Sequence, residues 1–151
     1  MACSMAMTTT PPPWENPLRH ASTAMVCTID TLATRTGVDV LAAGGNAVDA
    51  SIAANAVLTV TSQHMCGLGG DLFALVHTGP GRPDCLNASG RAGSGADPAA
   101  LLAEGFTAMP HRGDIRSVPV PGCVDGWWAL HRRFGSMPLA DLVAPAILLA
   151  D

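Results

Sequence analysis

Leu41-Ala-Ala-Gly-Gly-Asn-Ala-Val-Asp-Ala-Ser-Ile-Ala-Ala-Asn55 holds the end of one helix, a turn and the start of another. Gly44-Gly45 stops the first helix, because glycine accepts the left-handed backbone that closes a helical end. Asn46 then suits the N-cap of the second. Asp49, three positions on, meets the exposed amides and the positive end of the helix dipole. The second helix is expected to run to about Val60 and to carry mostly alanine with Ile52, Val57, Leu58 and Val60. Small side chains let a helix approach a sheet or another helix closely, which makes this a buried packing helix. The competing reading, a membrane span, requires roughly 20 apolar residues, and Asn46, Asp49 and Asn55 interrupt that run. No membrane contact is therefore expected.

Upstream, Ala24-Met-Val-Cys-Thr-Ile29 is short, apolar and β-branched, as a buried strand is, and Asp30 or Thr31 caps a helix through Ala43. Residues 1–19 contain Pro11, Pro12, Pro13 and Pro17 and read as a mobile, Pro-rich arm, with the ordered unit covering 20–151. Downstream of a Gly-rich turn, Gly67 to Gly70, Leu72–His77 and Asp84–Ala88 form a hairpin around Gly79-Pro-Gly-Arg-Pro83. A short helix follows through Glu104, with Asp97 as its cap and Pro98 in the first position, where a missing donor costs nothing. Residues 105–117 read as a loop. The chain turns at Pro121-Gly122 into a helix that Gly135 ends, with Val124, Trp127, Trp128, Leu130 and Phe134 as packing candidates. A last helix, Pro138 to Ala150, offers Leu139, Leu142, Val143, Ile147 and Leu148.

The 151 residues are 48% hydrophobic and 13% charged, enough for one domain with a core. Eight arginines and no lysine face twelve acids for a formal charge of −4, and the cations are scattered. No cationic stripe could neutralise phosphates, so nucleic acid is not an expected partner. Cys3, Cys27, Cys66, Cys85 and Cys123 form no Cys-x-x-Cys pair and read as reduced, mostly buried thiols. Nothing before Pro13 has the charged and apolar regions of a signal peptide, and a cytoplasmic location is expected.

Five features in order are similar to the γ-glutamyltranspeptidase family. They are Gly44-Gly-Asn-Ala-Val-Asp-Ala50; Gly67-Leu-Gly-Gly70 before a strand; the Arg91 loop; Val118-Pro-Val-Pro-Gly122 with Gly126; and Phe134-Gly135 leading into Pro145-Ala146. They span about residues 24–151 and would make up the opening part of the family's large subunit. The resemblance implies an α/β (α+β) fold class, the N-terminal fragment of an N-terminal-nucleophile hydrolase αββα sandwich. In that family a threonine freed at the start of a small subunit attacks an amide and passes through an acyl-enzyme. The Thr-Thr-His type signature around that threonine occurs nowhere here, so no catalytic residue is assigned and the chain alone is expected to be inactive. The implied partners are a γ-glutamyl or other carboxylate-bearing amide and the remainder of the precursor, including the small subunit. No cofactor is implied.

The resemblance also implies one substrate-binding residue in this segment, an arginine in an Arg-Glu-x-Ala-Pro type sequence after the second strand. Here Ser89 stands at the arginine position, Gly90 at the acid, and Arg91 two residues later. Arg91 has two readings. Its planar guanidinium can hold a carboxylate through two parallel hydrogen bonds, or it is a solvated arginine in a Gly-rich loop. The departure is similar to the branch with γ-glutamyltransferase-like proteins, acylases and an oxamate amidohydrolase, where glutathione need not be the substrate.

Other motifs carry plainer readings. Gly67-Leu-Gly-Gly-Asp71 lies between a helix and a strand, the reverse of a phosphate-cradling turn, and no Lys-Ser/Thr follows. His64, Cys66 and Asp71 fall short of a zinc ligand set, and no metal is expected. His111-Arg112-Gly-Asp114-Ile-Arg116 reads as a solvated charged loop. Trp127 and Trp128 point about 100° apart on a helix, so at most one faces a given pocket.

Overall fold

The computed structural model describes residues 20–110 and 113–151. The Pro-rich arm, Cys3, His111 and Arg112 lie outside the described residues. Five α-helices are described, α1 (Thr31–Ala42), α2 (Ala47–Thr61), α3 (Pro98–Ala103), α4 (Cys123–Phe134) and α5 (Leu139–Ala150), with two strands, β1 (Leu72–Val76) and β2 (Asp84–Ala88). The strands pair antiparallel with Leu72 opposite Ala88 and Val76 opposite Asp84.

Helix α2 is the centre of the packing. It lies against α1 and α5 along much of its length and touches α4, which in turn packs on the hairpin. Ala50, Ile52, Ala53, Ala54, Ala56 and Val57 are all buried, so its alanines do bring neighbours close. Leu142 of α5 is fully buried with them, and Trp127 and Leu130 of α4 are buried too.

The turn that decides the fold is built by hydrogen bonds as well as glycine. Gly44 has φ 95°, the left-handed region. Asn46 accepts from Val48 N–H at 2.8 Å and Asp49 N–H at 3.0 Å, while the Asp49 carboxylate accepts from Asn46 N–H at 3.0 Å, a reciprocal capping box. Asp49 is fully buried and reaches further: its carboxylate also accepts from the Ser136 amide at 3.1 Å and the Ser136 hydroxyl at 2.6 Å. Asn46 Nδ2 donates to the Phe134 carbonyl at 2.7 Å. One cap thus fixes the start of α2 and clamps the α4–α5 turn some 87 residues away in sequence. Burial on its own raises the Asp49 pKa, but the bonds from Ser136, Asn46 and Met137 outweigh it, and the carboxyl ends below its usual value.

Several expectations need correction. Ala24–Ile29 is not a strand. The described sheet has only β1 and β2, so nothing described pairs with that segment's backbone; its Val26 side chain packs against Gly37 of α1. The thiols are not mostly buried: Cys27 and Cys85 are exposed, Cys66 is half-buried and only Cys123 is buried. Val124, Trp128, Ile147 and Leu148, expected to pack, are exposed, because the buried positions of their helices are Cys123, Gly126, Trp127 and Leu130 on α4 and Leu142 and Ala146 on α5. The loop at 105–117 closes with a single 3₁₀ turn, Ile115–Ser117. Among the described residues no helix is long and apolar enough to cross a membrane.

Candidate substrate-binding site

Three of the sequence motifs meet in space. The Gly-rich turn reaches α4 through a hydrogen bond from Cys123 N–H to the Gly70 carbonyl at 3.0 Å. The loop after β2 reaches the same place through an isolated antiparallel bridge between Arg91 and Val120, with Val120 N–H donating to the Arg91 carbonyl at 2.9 Å. The approach is so close that only glycine fits. A Cβ at Gly122 would stand 2.1 Å from the Ala88 carbonyl oxygen and 2.6 Å from the Gly90 nitrogen, and Gly90 itself has φ 88°. Farther along α4, a Cβ at Gly126 would meet Leu72 Cδ2 at 2.6 Å, which lets the helix lie flat on the hairpin. The Val-Pro-Val-Pro-Gly stretch is therefore the clamp that holds the Arg91 loop in place.

Arg91 lines an open cavity of about 520 Å³ together with Asn87, Gly90, Val120, Gly122 and Asp125. Arg91 is exposed, and it forms no ion pair with any described residue. Gly122 is the N-cap of α4 and supplies no side-chain cap, so the positive end of the helix dipole borders the same cavity, with Asp125 in the helix's first turn. A planar fork of donors near the N-terminal end of a helix is chemistry that can accept a carboxylate. Asp125 brings one opposing charge to the same cavity, and nothing in the sequence had marked it.

Asn55 was also missed, although a lone amide in an alanine-rich helix was the available signal. Its Oδ1 accepts from Trp127 Nε1 at 2.8 Å, which ties α2 to α4 beneath the clamp. Trp127 is buried and Trp128 exposed, as two positions 100° apart require. Cys123 is not a poised nucleophile. Burial raises its thiol pKa, and the nearby Cys66 and Asp71 raise it further; burial likewise raises that of Cys66. Among the described residues no three His, Cys, Asp or Glu side chains are grouped to hold a metal ion.

The mixed helix and strand arrangement is part of an N-terminal-nucleophile hydrolase fold. It superimposes on Helicobacter pylori γ-glutamyltranspeptidase with a TM-score of 0.77 at 29% identity, covering 89% of this chain and 39% of that one. It also matches the cephalosporin acylase of Bacillus halodurans with a TM-score of 0.68 at 42% identity, over 78% of this chain and 22% of the acylase. The model of the family described as Gamma-glutamyltranspeptidase matches residues 33–151, and the chain belongs to that family. A similar curated relative is the glutathione hydrolase-like YwrD proenzyme of Bacillus subtilis, 41% identical over 123 residues. That match takes in 81% of this chain and 23% of the relative, so the chain spans about a quarter of the length of the curated relatives it matches. The family is enzymatic, and its members include proteins described as glutathione hydrolases, an oxamate amidohydrolase and acylases.

Proposed function

We propose that this chain is the opening part of the large subunit of an amidohydrolase that cleaves a carboxylate-bearing amide through a threonine acyl-enzyme. The nucleophile comes from outside these 151 residues, and the chain alone is inactive. Arg91 is the carboxylate anchor. The observation that carries this is the Arg91 loop, held beside the α4 N-terminus by the Val120 bridge and the Gly90–Gly122 contact, with an Arg91 guanidinium that pairs with no carboxylate among the described residues. The outer face of the hairpin supports the larger assembly, since Phe73 and Leu75 lie 65% and 74% exposed there.

The position of Arg91, two residues beyond the usual one, favours an acyl group other than that of glutathione, as in the acylase and oxamate amidohydrolase relatives. The γ-glutamyl amide remains the competing substrate, because its α-carboxylate meets the same requirement. The test is Arg91→Ala in the product of the complete reading frame. A guanidinium that holds substrate and transition state alike should, when removed, raise KM for carboxylate-bearing amides about 10- to 100-fold with little change in kcat. Unchanged KM would remove Arg91 from the site.

A further inference from the structure

A second cavity, of about 620 Å³, is lined by residues that follow on in sequence from those of the first. It is lined by Ala92, Gly93 and Gly95 on one side and by Leu101, Met109 and Val118 among the residues opposite. Arg91 and Gly93 are two residues apart, so their Cα atoms lie within about 7 Å. Val118 and Val120 line the second and first cavities respectively. Val118 is extended, with φ −88° and ψ 116°, and side chains two apart on an extended strand share a face. The two cavities are therefore neighbours on one face of the Arg91–Val120 bridge.

Their chemistry differs. The charged groups around the second cavity are engaged with one another: Arg116 pairs with Glu104 at 2.8 Å and with Asp114 at 2.6 Å, and lies over the Phe106 ring at 5.2 Å from its centre. Asp97 accepts from the Ala99 and Ala100 amides as the cap of α3. What the described residues leave for a ligand is apolar surface, with Met109, Ile115 and Val118 at 55%, 81% and 59% exposure. Gly93 and Gly95 leave the wall open; a Cβ at either would meet nothing within 4 Å.

We propose that this second cavity is a specificity pocket for an unbranched apolar group on the far side of the substrate amide, several bonds from the carboxylate that Arg91 holds. The occupant is the uncharged tail of the substrate: Ala92, Gly93 and Val118, which line the pocket, continue directly from Arg91 and Val120, which line the anchor's cavity. The inference rests on the Arg91 reading.

The test measures binding of methionine, S-butyl homocysteine and S-hexyl homocysteine to the product of the complete reading frame by isothermal titration. All three carry the same amino acid head and no scissile amide. Affinity should rise by up to about fourfold per added methylene until the pocket is full. Val118→Asp should flatten that rise and leave methionine binding unchanged. Gly93→Leu fills the pocket from a position with free space, and should do the same without disturbing the fold. Arg91→Ala should weaken all three ligands by one common factor. A flat series on the unaltered protein, with Arg91→Ala still weakening every member, overturns the pocket and leaves the anchor standing; this is also the outcome if another segment of the protein covers it. A rising series indifferent to Arg91→Ala overturns the anchor and the pocket's role with it. A rise that survives both Val118→Asp and Gly93→Leu places the tail elsewhere and refutes the proposal.

Discussion

Asp49→Asn is the sharpest perturbation of the architecture, because it changes charge and one acceptor atom while keeping shape. The carboxylate is fully buried and accepts from the Asn46 amide at 3.0 Å, the Ser136 amide at 3.1 Å and the Ser136 hydroxyl at 2.6 Å, with the Met137 amide also turned to it. An asparagine oxygen can keep part of this set. Its NH₂ then faces a donor, so at least one bond to a charged acceptor is lost and one buried N–H or O–H is left unpaired. A hydrogen bond to a charged group contributes about 1.5–3 kcal/mol, and an orphaned buried donor costs about 1–3 kcal/mol. The expected loss is about 3 kcal/mol, a large share of the 5–15 kcal/mol typical of a domain. Urea unfolding of the product of the complete reading frame, followed by circular dichroism, reads this as a lower midpoint at unchanged slope. The same carboxyl has a folded-state pKa below the ordinary range of an aspartate. Its contribution is therefore fully present above about pH 4 and is lost as pH falls through the lower folded value. The gap between the two proteins should close in that acid window. A loss under about 0.5 kcal/mol at pH 7, in the range of an ordinary surface change, would refute the clamp.

Gly122→Ala places a methyl 2.1 Å from the Ala88 carbonyl oxygen, a backbone atom that cannot swing aside, so the Arg91 loop must move. Thermal melts should show a loss of about 3 kcal/mol or more, against about 1 kcal/mol for an ordinary substitution. Trp127→Phe removes the donor to Asn55 Oδ1 and should cost about 1–3 kcal/mol in urea, whereas Trp128→Phe, at a position 50% exposed, should stay within about 0.5 kcal/mol. Equal effects at the two tryptophans would contradict their placement.

Helix starts and stops were legible because they rest on local chemistry. Asp30, Asn46 and Asp97 each accept from amides of their own first turn, within three residues, and β2 begins and ends where its flanking glycines and proline require. The reach of Asp49 to Ser136 was not legible, since nothing local marks a partner 87 residues away. Ala24–Ile29 shows the opposite limit. Its β-branched, apolar pattern describes a strand, but a ladder also needs a neighbour, and the described sheet supplies none. Exposed Ile147 and Leu148 read as core for the same reason: apolarity records that a side chain is suited to burial, and the surface that would bury it need not lie in the same segment. At the site, the sequence pointed to Arg91 and to the Pro121-Gly122 turn separately. Their meeting, with Asp125 at the rim, is a tertiary fact.

The most direct measurement is the nucleotide sequence in frame beyond codon 151. The proposed function predicts an open frame that reaches a Thr-Thr-His type site, where a threonine nucleophile would be released to face the Arg91 loop. A stop codon directly after Asp151 would contradict it, leaving a family member with a carboxylate anchor and no group to attack the amide.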